Sequence, residues 1–384
     1  GSNQSWRLWC SPSSMAPPYR PAATYRCNGK GAWVVAAACD RGARPVRLAA
    51  SVAAAGEGGG TLDVLDAARM QPMRSFKGPH SGGAATDLSF LATTPECLVS
   101  CGEDGTVQLW DLRASGGGAQ RKLHSEAEPV LALAVDACDR LCACAVGPCI
   151  RALDISSGRE AFSHADAHSE PVHCLQFRPG SSQELISGAD DGLLCAIDVA
   201  RCEMGGKAVE DDAGLRLVVS CGESLQKLSL MADGGSLACA ISTTEVLQLW
   251  SLHERRPGAL CGRFEDVRQD GRLRVGESDG YLVATLYDEA SGRSQLLAGR
   301  VDGGLAVYHL NLEAATFMDV LPSGEAGGHS GVVRAAVPLG GTGRVATCGE
   351  DGLLCVWSPE SCSGGGAGPP ARSRSPPRRG RGPG

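Results

Sequence analysis

A chain of 384 residues exceeds one small core, and at roughly 100–200 residues per domain it would form two or three domains unless it is built of repeats. With 43% apolar and 21% charged residues most of it can bury a core, which excludes wholesale disorder; no stretch nears the run of about eighteen apolar residues that a membrane-spanning helix needs. The formal charge of −7 is unevenly divided, because residues 362–384 carry five arginines and no acid, leaving −12 on the rest.

In chain order, residues 1–22 lack the continuous apolar run of a secretory signal and read as a flexible leading segment. Alternation of apolar and polar residues then predicts strands at Trp33–Asp40, Val46–Ala55, Thr61–Asp66 and Pro72–Lys77. Beyond them one pattern recurs: small residues, an Asp-Gly or Gly-Gly turn, an alternating strand, and a final polar residue. It reads VSCGEDGTVQLWD at 99–111, ISGADDGLLCAID at 186–198, LAGRVDGGLAVYH at 297–309 and ATCGEDGLLCVWS at 346–358. Weaker copies end at Asp66, Asp154 and Ser251. The final polar residues fall at 66, 111, 154, 198, 251, 309 and 358, so the spacings are 45, 43, 44, 53, 58 and 49. A period of about 40–45 residues with hairpin-turn chemistry is the signature of a β-propeller. No helical periodicity competes with it. The expected fold is all-β, seven blades over residues 23–360, followed by a disordered Gly/Pro/Arg/Ser tail at 361–384.

Two of the units, GEDGTVQLWDLR at 102–113 with His80 upstream and GEDGLLCVWS with Gly328-His329 upstream, resemble WD40 repeats. The stretches 168–199, 265–268 and 281–310 are similar to one WD40 subfamily, whose members also end in a basic tail. The resemblance implies a hydrogen-bonded tetrad in each intact blade: His80, Ser100, Asp104 and Trp110 in blade two, and His329, Thr347, Asp351 and Trp357 in blade seven. Blade four keeps His168, Ser187 and Asp191 but has Ile197 in the tryptophan position; blades one, three, five and six are degenerate and expected to be softer. His80, His124, His168 and His329 precede their markers by 31, 30, 30 and 29 residues, so these histidines are in register and read as structural. WD40 rings also close with an N-terminal strand, which implies that Ala23–Cys27 completes blade seven.

Two features lie outside this frame. Trp110, Asp111 and Arg113 resemble the WDxR box of receptors that dock on the damaged-DNA-binding adaptor of cullin-RING ubiquitin ligases, although an arginine after a strand is also simply a solvated residue. The tail arginines Arg372, Arg374, Arg378, Arg379 and Arg381 resemble Arg/Ser and Arg/Gly segments of nuclear RNA-processing proteins. They would bind RNA or an importin weakly and in a salt-dependent way, lacking aromatic residues for base stacking, or serve only as a solubilising end.

Enzyme chemistry finds little support. GEGGG at 56–60 lacks the Lys-Ser/Thr of a phosphate loop, no Gly-x-Ser-x-Gly elbow occurs, and the pairs Glu103-Asp104, Asp190-Asp191 and Glu350-Asp351 straddle turns. Cys138, Cys142, Cys144 and Cys149 have no zinc-site spacing, and they, like Cys97 and Cys101, read as small core residues of a reduced, cytoplasmic or nuclear protein. The chain is therefore expected to be a non-enzymatic protein-interaction scaffold, a monomeric ring within a complex, without metal, cofactor or membrane contact. The long connections at 201–214 and 252–280 are the first places to look for binding.

Overall fold

The computed structural model describes residues 19–29, 31–40, 46–54, 59–81, 83–114, 119, 121–204, 214–265, 280–288, 292–324, 327–340 and 342–359. The leading strand is β1 (Tyr19–Arg26). Blade one is β2 (Trp33–Cys39), β3 (Arg47–Ala53), β4 (Thr61–Asp66) and β5 (Gln71–Lys77); blade two is β6 (Ala85–Phe90), β7 (Cys97–Gly102), β8 (Thr106–Asp111) and β9 (Arg121–Ser125). Blade three is β10 (Val130–Val135), β11 (Leu141–Val146), β12 (Cys149–Asp154) and β13 (Glu160–His164); blade four is β14 (Val172–Phe177), β15 (Glu184–Ala189), β16 (Leu193–Asp198) and β17 (Leu215–Ser220). Blade five is β18 (Leu225–Met231), β19 (Leu237–Ser242), β20 (Leu247–Ser251) and β21 (Leu260–Phe264); blade six is β22 (Gly280–Asp288), β23 (Arg293–Arg300), β24 (Leu305–Leu310) and β25 (Ala315–Leu321). Blade seven is β26 (Val333–Leu339), β27 (Arg344–Gly349) and β28 (Leu353–Pro359), with β1 as its fourth strand. The fold is thus an all-β ring of seven four-stranded sheets, with one short helix, α1 (Val199–Met204), after blade four.

Each sheet is covered on both sides, which is why second strands such as LCACAV in β11 are buried along their whole length. The buried apolar residues divide into clusters that each join two neighbouring blades. Val99, Cys101, Cys142 and Cys144 lie between blades two and three, and Leu249, Phe264, Leu296 and Tyr308 between five and six. Val34, Leu48, Cys348 and Val356 lie between seven and one, so the ring is closed by the same packing that builds its other seams. At about 1.5–3 kcal/mol for each fully buried large side chain, these seams hold the ring. Every first strand carries a register shift near its start, as at Ala85/Asp87, Val172/Cys174 and Val333/Ala335. The shift turns the inner strands around the axis.

The latch is longer than the sequence suggests. β1 pairs with β28 from Tyr19↔Pro359 to Arg26↔Leu353, rather than over Ala23–Cys27, so residues 19–22 belong to a strand and not to the leading segment. Pro21 made the segment look broken, but an outer strand tolerates proline, and the register shift between Pro21 and Ala23 absorbs it. Tyr19 also reaches blade six, its hydroxyl 3.1 Å from Gln295 and its backbone N–H donating to Asp319 at 2.8 Å. Two smaller expectations also change. α1 is not visible as helical periodicity because it is only six residues long, and the third strand of blade six runs past His309 to Leu310.

Candidate functional site

In each blade the connections after the second strand, and from the fourth strand to the next blade, open on one face, the upper. Those after the first and third strands open on the lower face. The upper face is held by the tetrads. In blade two, Trp110 Nε1 donates to Ser100 Oγ at 2.8 Å, Ser100 meets His80 Nε2 at 2.8 Å, and His80 Nδ1 lies 3.0 Å from Asp104. Asp104 then accepts the backbone N–H of Ser81 at 2.7 Å, fixing the upper connection. Burial holds the His80 imidazole below its ordinary pKa, in the neutral form. Burial works against the Asp104 carboxylate as well, but hydrogen bonds from Thr106, Ser81 and His80 outweigh it and hold its pKa down. A neutral imidazole donating through Nδ1 and accepting through Nε2 satisfies every member of the chain.

The structure brings His329, Thr347, Asp351 and Trp357 into the same arrangement, at 3.1 Å, 2.9 Å and 2.8 Å. In blade four His168 meets Asp191 and Ser187 at 3.1 Å and 2.8 Å, and Ile197 fills the tryptophan position fully buried. His124 is a correction: it lies inside β9, opposite Val107, and its buried Nε2 has no hydrogen-bond partner among the described residues. Spacing along the chain matched, but position 124 is strand rather than connection, and Ala143 and Leu153 offer no hydroxyl or indole.

Sequence reasoning missed the substitutes in the degenerate blades. In blade five Trp250 Nε1 donates to Gln248 at 3.0 Å, and Gln248 donates to the Cys221 carbonyl at 2.9 Å. Glu223 gathers Ser242, Thr244 and Arg263 at the mouth of the same blade. In blade six the Tyr281 ring packs on Gly299 much as His80 packs on Gly102, and Tyr281 Oη accepts the Val333 N–H of blade seven at 2.7 Å. Lys227 on β18 donates to the Leu282 and Val283 carbonyls of β22 at 2.9 and 2.8 Å. The signals were present as Trp250 in blade five and as Gly299 near the end of the second strand in blade six, but the partners are not histidines.

The paired acids separate as their turns require. Asp104, Asp191 and Asp351 belong to tetrads, whereas Glu103 is exposed, Asp190 meets His173 at 2.8 Å, and Glu350 accepts from Arg334. Cys97, Cys101, Cys142 and Cys144 are buried in the same seam, and burial raises all four thiol pKa values. Cys138 is exposed, and among the described residues no three His, Cys, Asp or Glu side chains are placed to hold a metal ion. No described helix is long and apolar enough to cross a membrane. Residues 205–213, 266–279 and 361–384 lie outside the described residues. Much of both long connections, the 266–268 stretch and the five tail arginines are therefore not placed.

On the lower face, the polar residue that ends the third strand in blades one to five, and Asn311 just past it in blade six, caps the connection that follows. Asp66 accepts the N–H groups of Ala68 and Arg69, Asp154 accepts that of Ser157, and Asn311 accepts those of Glu313 and Ala314. Asp111 accepts the N–H of Arg113 at 2.9 Å and also its guanidinium, from Nε at 3.0 Å and Nη2 at 2.9 Å. These Arg113 bonds pull the Asp111 carboxyl down to about 2. Arg69 with Asp66 and Arg201 with Asp198 repeat this pairing in blades one and four, so Arg113 is one of three equivalents.

The family described as "WD domain, G-beta repeat" matches residues 70–111 and 161–198, each running from the outer strand of one blade to the third strand of the next. The chain carries WD40 repeats. Its WD40 relatives include the WD repeat-containing protein GTS1 of Arabidopsis thaliana, 23% identical over 272 residues that cover 69% of this chain and 67% of that protein. The WD repeat-containing protein 89 homolog of Dictyostelium discoideum is 22% identical over 276 residues, 72% and 71% of the two chains. Mouse WD repeat-containing protein 90 is 24% identical over 290 residues, 71% of this chain but 14% of that protein. The WD40 match falls on blades two and four, both of which keep a histidine–hydroxyl–aspartate core.

Proposed function

We propose that this protein is a non-enzymatic protein-interaction platform whose upper face receives a basic segment of a partner. WD40 propellers generally serve as scaffolds for protein contacts, and the charge of the upper face supports the narrower reading. Glu103, Glu126, Glu128, Glu170, Asp190 and Glu350 are exposed there. Of the described basic residues on this face, Arg151 pairs with Glu126, Arg263 with Glu223 and Glu265, Arg300 with Asp302, and Arg334 with Glu350, while Arg26 and Lys77 are exposed without an ion pair. Glu103, Glu128 and Glu170 have no hydrogen-bond or ion-pair partner among the described residues. An excess of unpaired carboxylates on one face steers oppositely charged partners and sets orientation more than affinity. The free cysteines support a reducing setting, cytoplasm or nucleus.

Adaptor docking through Trp110, Asp111 and Arg113 is a second reading, supported by the 66% exposure of the Arg113 side chain; a partner carboxylate would have to share that guanidinium with Asp111. The tail reading rests on sequence alone. Quantitative affinity-purification mass spectrometry from the native cell type tests all three. The parent is compared with the Glu103→Lys, Glu128→Lys, Glu170→Lys triple variant, with Arg113→Ala, and with a chain ending at Glu360. The platform reading predicts partners lost in the triple variant, and an unchanged partner list there contradicts it. Adaptor and cullin peptides lost only in Arg113→Ala would establish the second reading, and RNA-processing partners lost only on truncation the third.

A further inference from the structure

We infer that the lower face recognises an acidic stretch of a partner polypeptide through an arc of arginines contributed by the turns after the third strands of blades one to five. The arc consists of Arg69, Arg113, Arg159, Arg201, Arg255 and Arg256, all exposed. Their placement follows from the caps. Asp66, Asp111, Asp154, Asp198 and Ser251 each accept a backbone N–H two or three residues on, in a turn or, in blade four, in the first turn of α1, so the residues that follow each third strand are held in place on the lower face.

The same caps separate the charges by depth. The side chains of Arg69, Arg113 and Arg201 are 72%, 66% and 67% exposed, against 12%, 14% and 20% for Asp66, Asp111 and Asp198 beneath them. The carboxylates face the turn and the guanidinium groups face solvent. Arg159, Arg255 and Arg256 have no side-chain ion pair among the described residues. Glu254 and Glu313 are the exposed carboxylates of the described third-strand turns, one beside the arc and one beyond its end.

A carboxylate under each paired arginine weakens the long-range field, so this surface favours short-range, bidentate contacts over diffuse attraction to a polyanion. Among the described residues, none of the exposed large apolar side chains is an aromatic on these connections, so they offer a nucleobase no stacking platform. Both points favour side-chain carboxylates spaced along a peptide over a phosphate backbone. With the upper face acidic, the ring would then hold two partners of opposite charge on opposite faces. The inference shares with the platform reading only the assumption of a non-covalent partner, and it is tested without the upper face.

The test is fluorescence anisotropy on the full chain with a labelled Asp-Glu-Gly repeat peptide, and separately with a single-stranded oligonucleotide of equal charge. Both are titrated against the parent, an Arg159→Ser, Arg255→Ser, Arg256→Ser variant, and the upper-face triple variant. The substituted residues are exposed, so matching melting temperatures confirm intact folding. The inference predicts that the peptide Kd rises at least about tenfold in the lower-face variant, does not rise in the upper-face variant, and is lower than that of the oligonucleotide. Absence of peptide binding, peptide binding indifferent to the lower-face substitutions, or tighter binding of the oligonucleotide overturns it. Loss of partners in the upper-face variant in cells would leave this result unaffected.

Discussion

The glycine that ends a second strand and the histidine that precedes the blade are one device. A Cβ on Gly102 would sit 2.6 Å from His80 Cγ, closer than side-chain carbons approach, so the imidazole can reach Ser100 and Asp104 only over a bare backbone. Gly102→Ala is therefore expected to destabilise the ring by about 1–3 kcal/mol, read as a lower denaturation midpoint with an unchanged m-value. Asp87 gives a pH test. Its carboxylate, on β6, accepts the N–H of Leu88 at 2.8 Å and of Leu133 in the next blade at 3.0 Å, and burial raises its pKa from 3.8 to about 6. Because the folded value lies above the unfolded one, the gain from protonation is fully present below about 3.8 and is lost as pH rises through about 6, on the order of 3 kcal/mol in all. Urea denaturation should show the parent gaining stability relative to Asp87→Asn as pH falls from 7 to 4.5. Parallel profiles would contradict the assignment.

At the scale of elements, most of the ring was legible because hairpin turns announce themselves: Asp-Gly before the third strand and a capping Asp after it mark the unit whatever lies between. The tetrads of blades two and seven were legible for the same reason, since all four residues sit at fixed distances from those turns. Blades five and six were not, because a four-residue pattern is replaced there by Trp250–Gln248 within one strand, which reaches on to the Cys221 carbonyl, and by Tyr281–Val333 between two blades. His124 misled because spacing counts residues and not strand ends. The closing strand was legible in kind but not in length, with Pro21 hiding its first turn of pairing. Removing residues 1–30 strips β1 from β28 and takes away the buried Tyr19. The expected loss is on the order of 3–5 kcal/mol, with a broadened thermal transition. A truncated chain that melts in one sharp step at the parental temperature would show that the latch is dispensable.

As a whole molecule, the ring separates rigidity from recognition. Its seams take up most of the buried thiols and its tetrads His80, His168 and His329, leaving the connections of two faces, one with an excess of free carboxylates and one lined with arginines, as the surface open to partners. Scaffolding follows from that division, since rigid blades hold several turns at fixed relative positions without any of them needing to move. The most direct measurement is carboxyl-group footprinting by mass spectrometry, on the free protein and on its partner complex isolated from cells. Labelling of Glu103, Glu128 and Glu170 should fall in the complex while Glu313, on the lower face of blade six, labels as before. Unchanged labelling of the three upper-face carboxylates would contradict the platform reading.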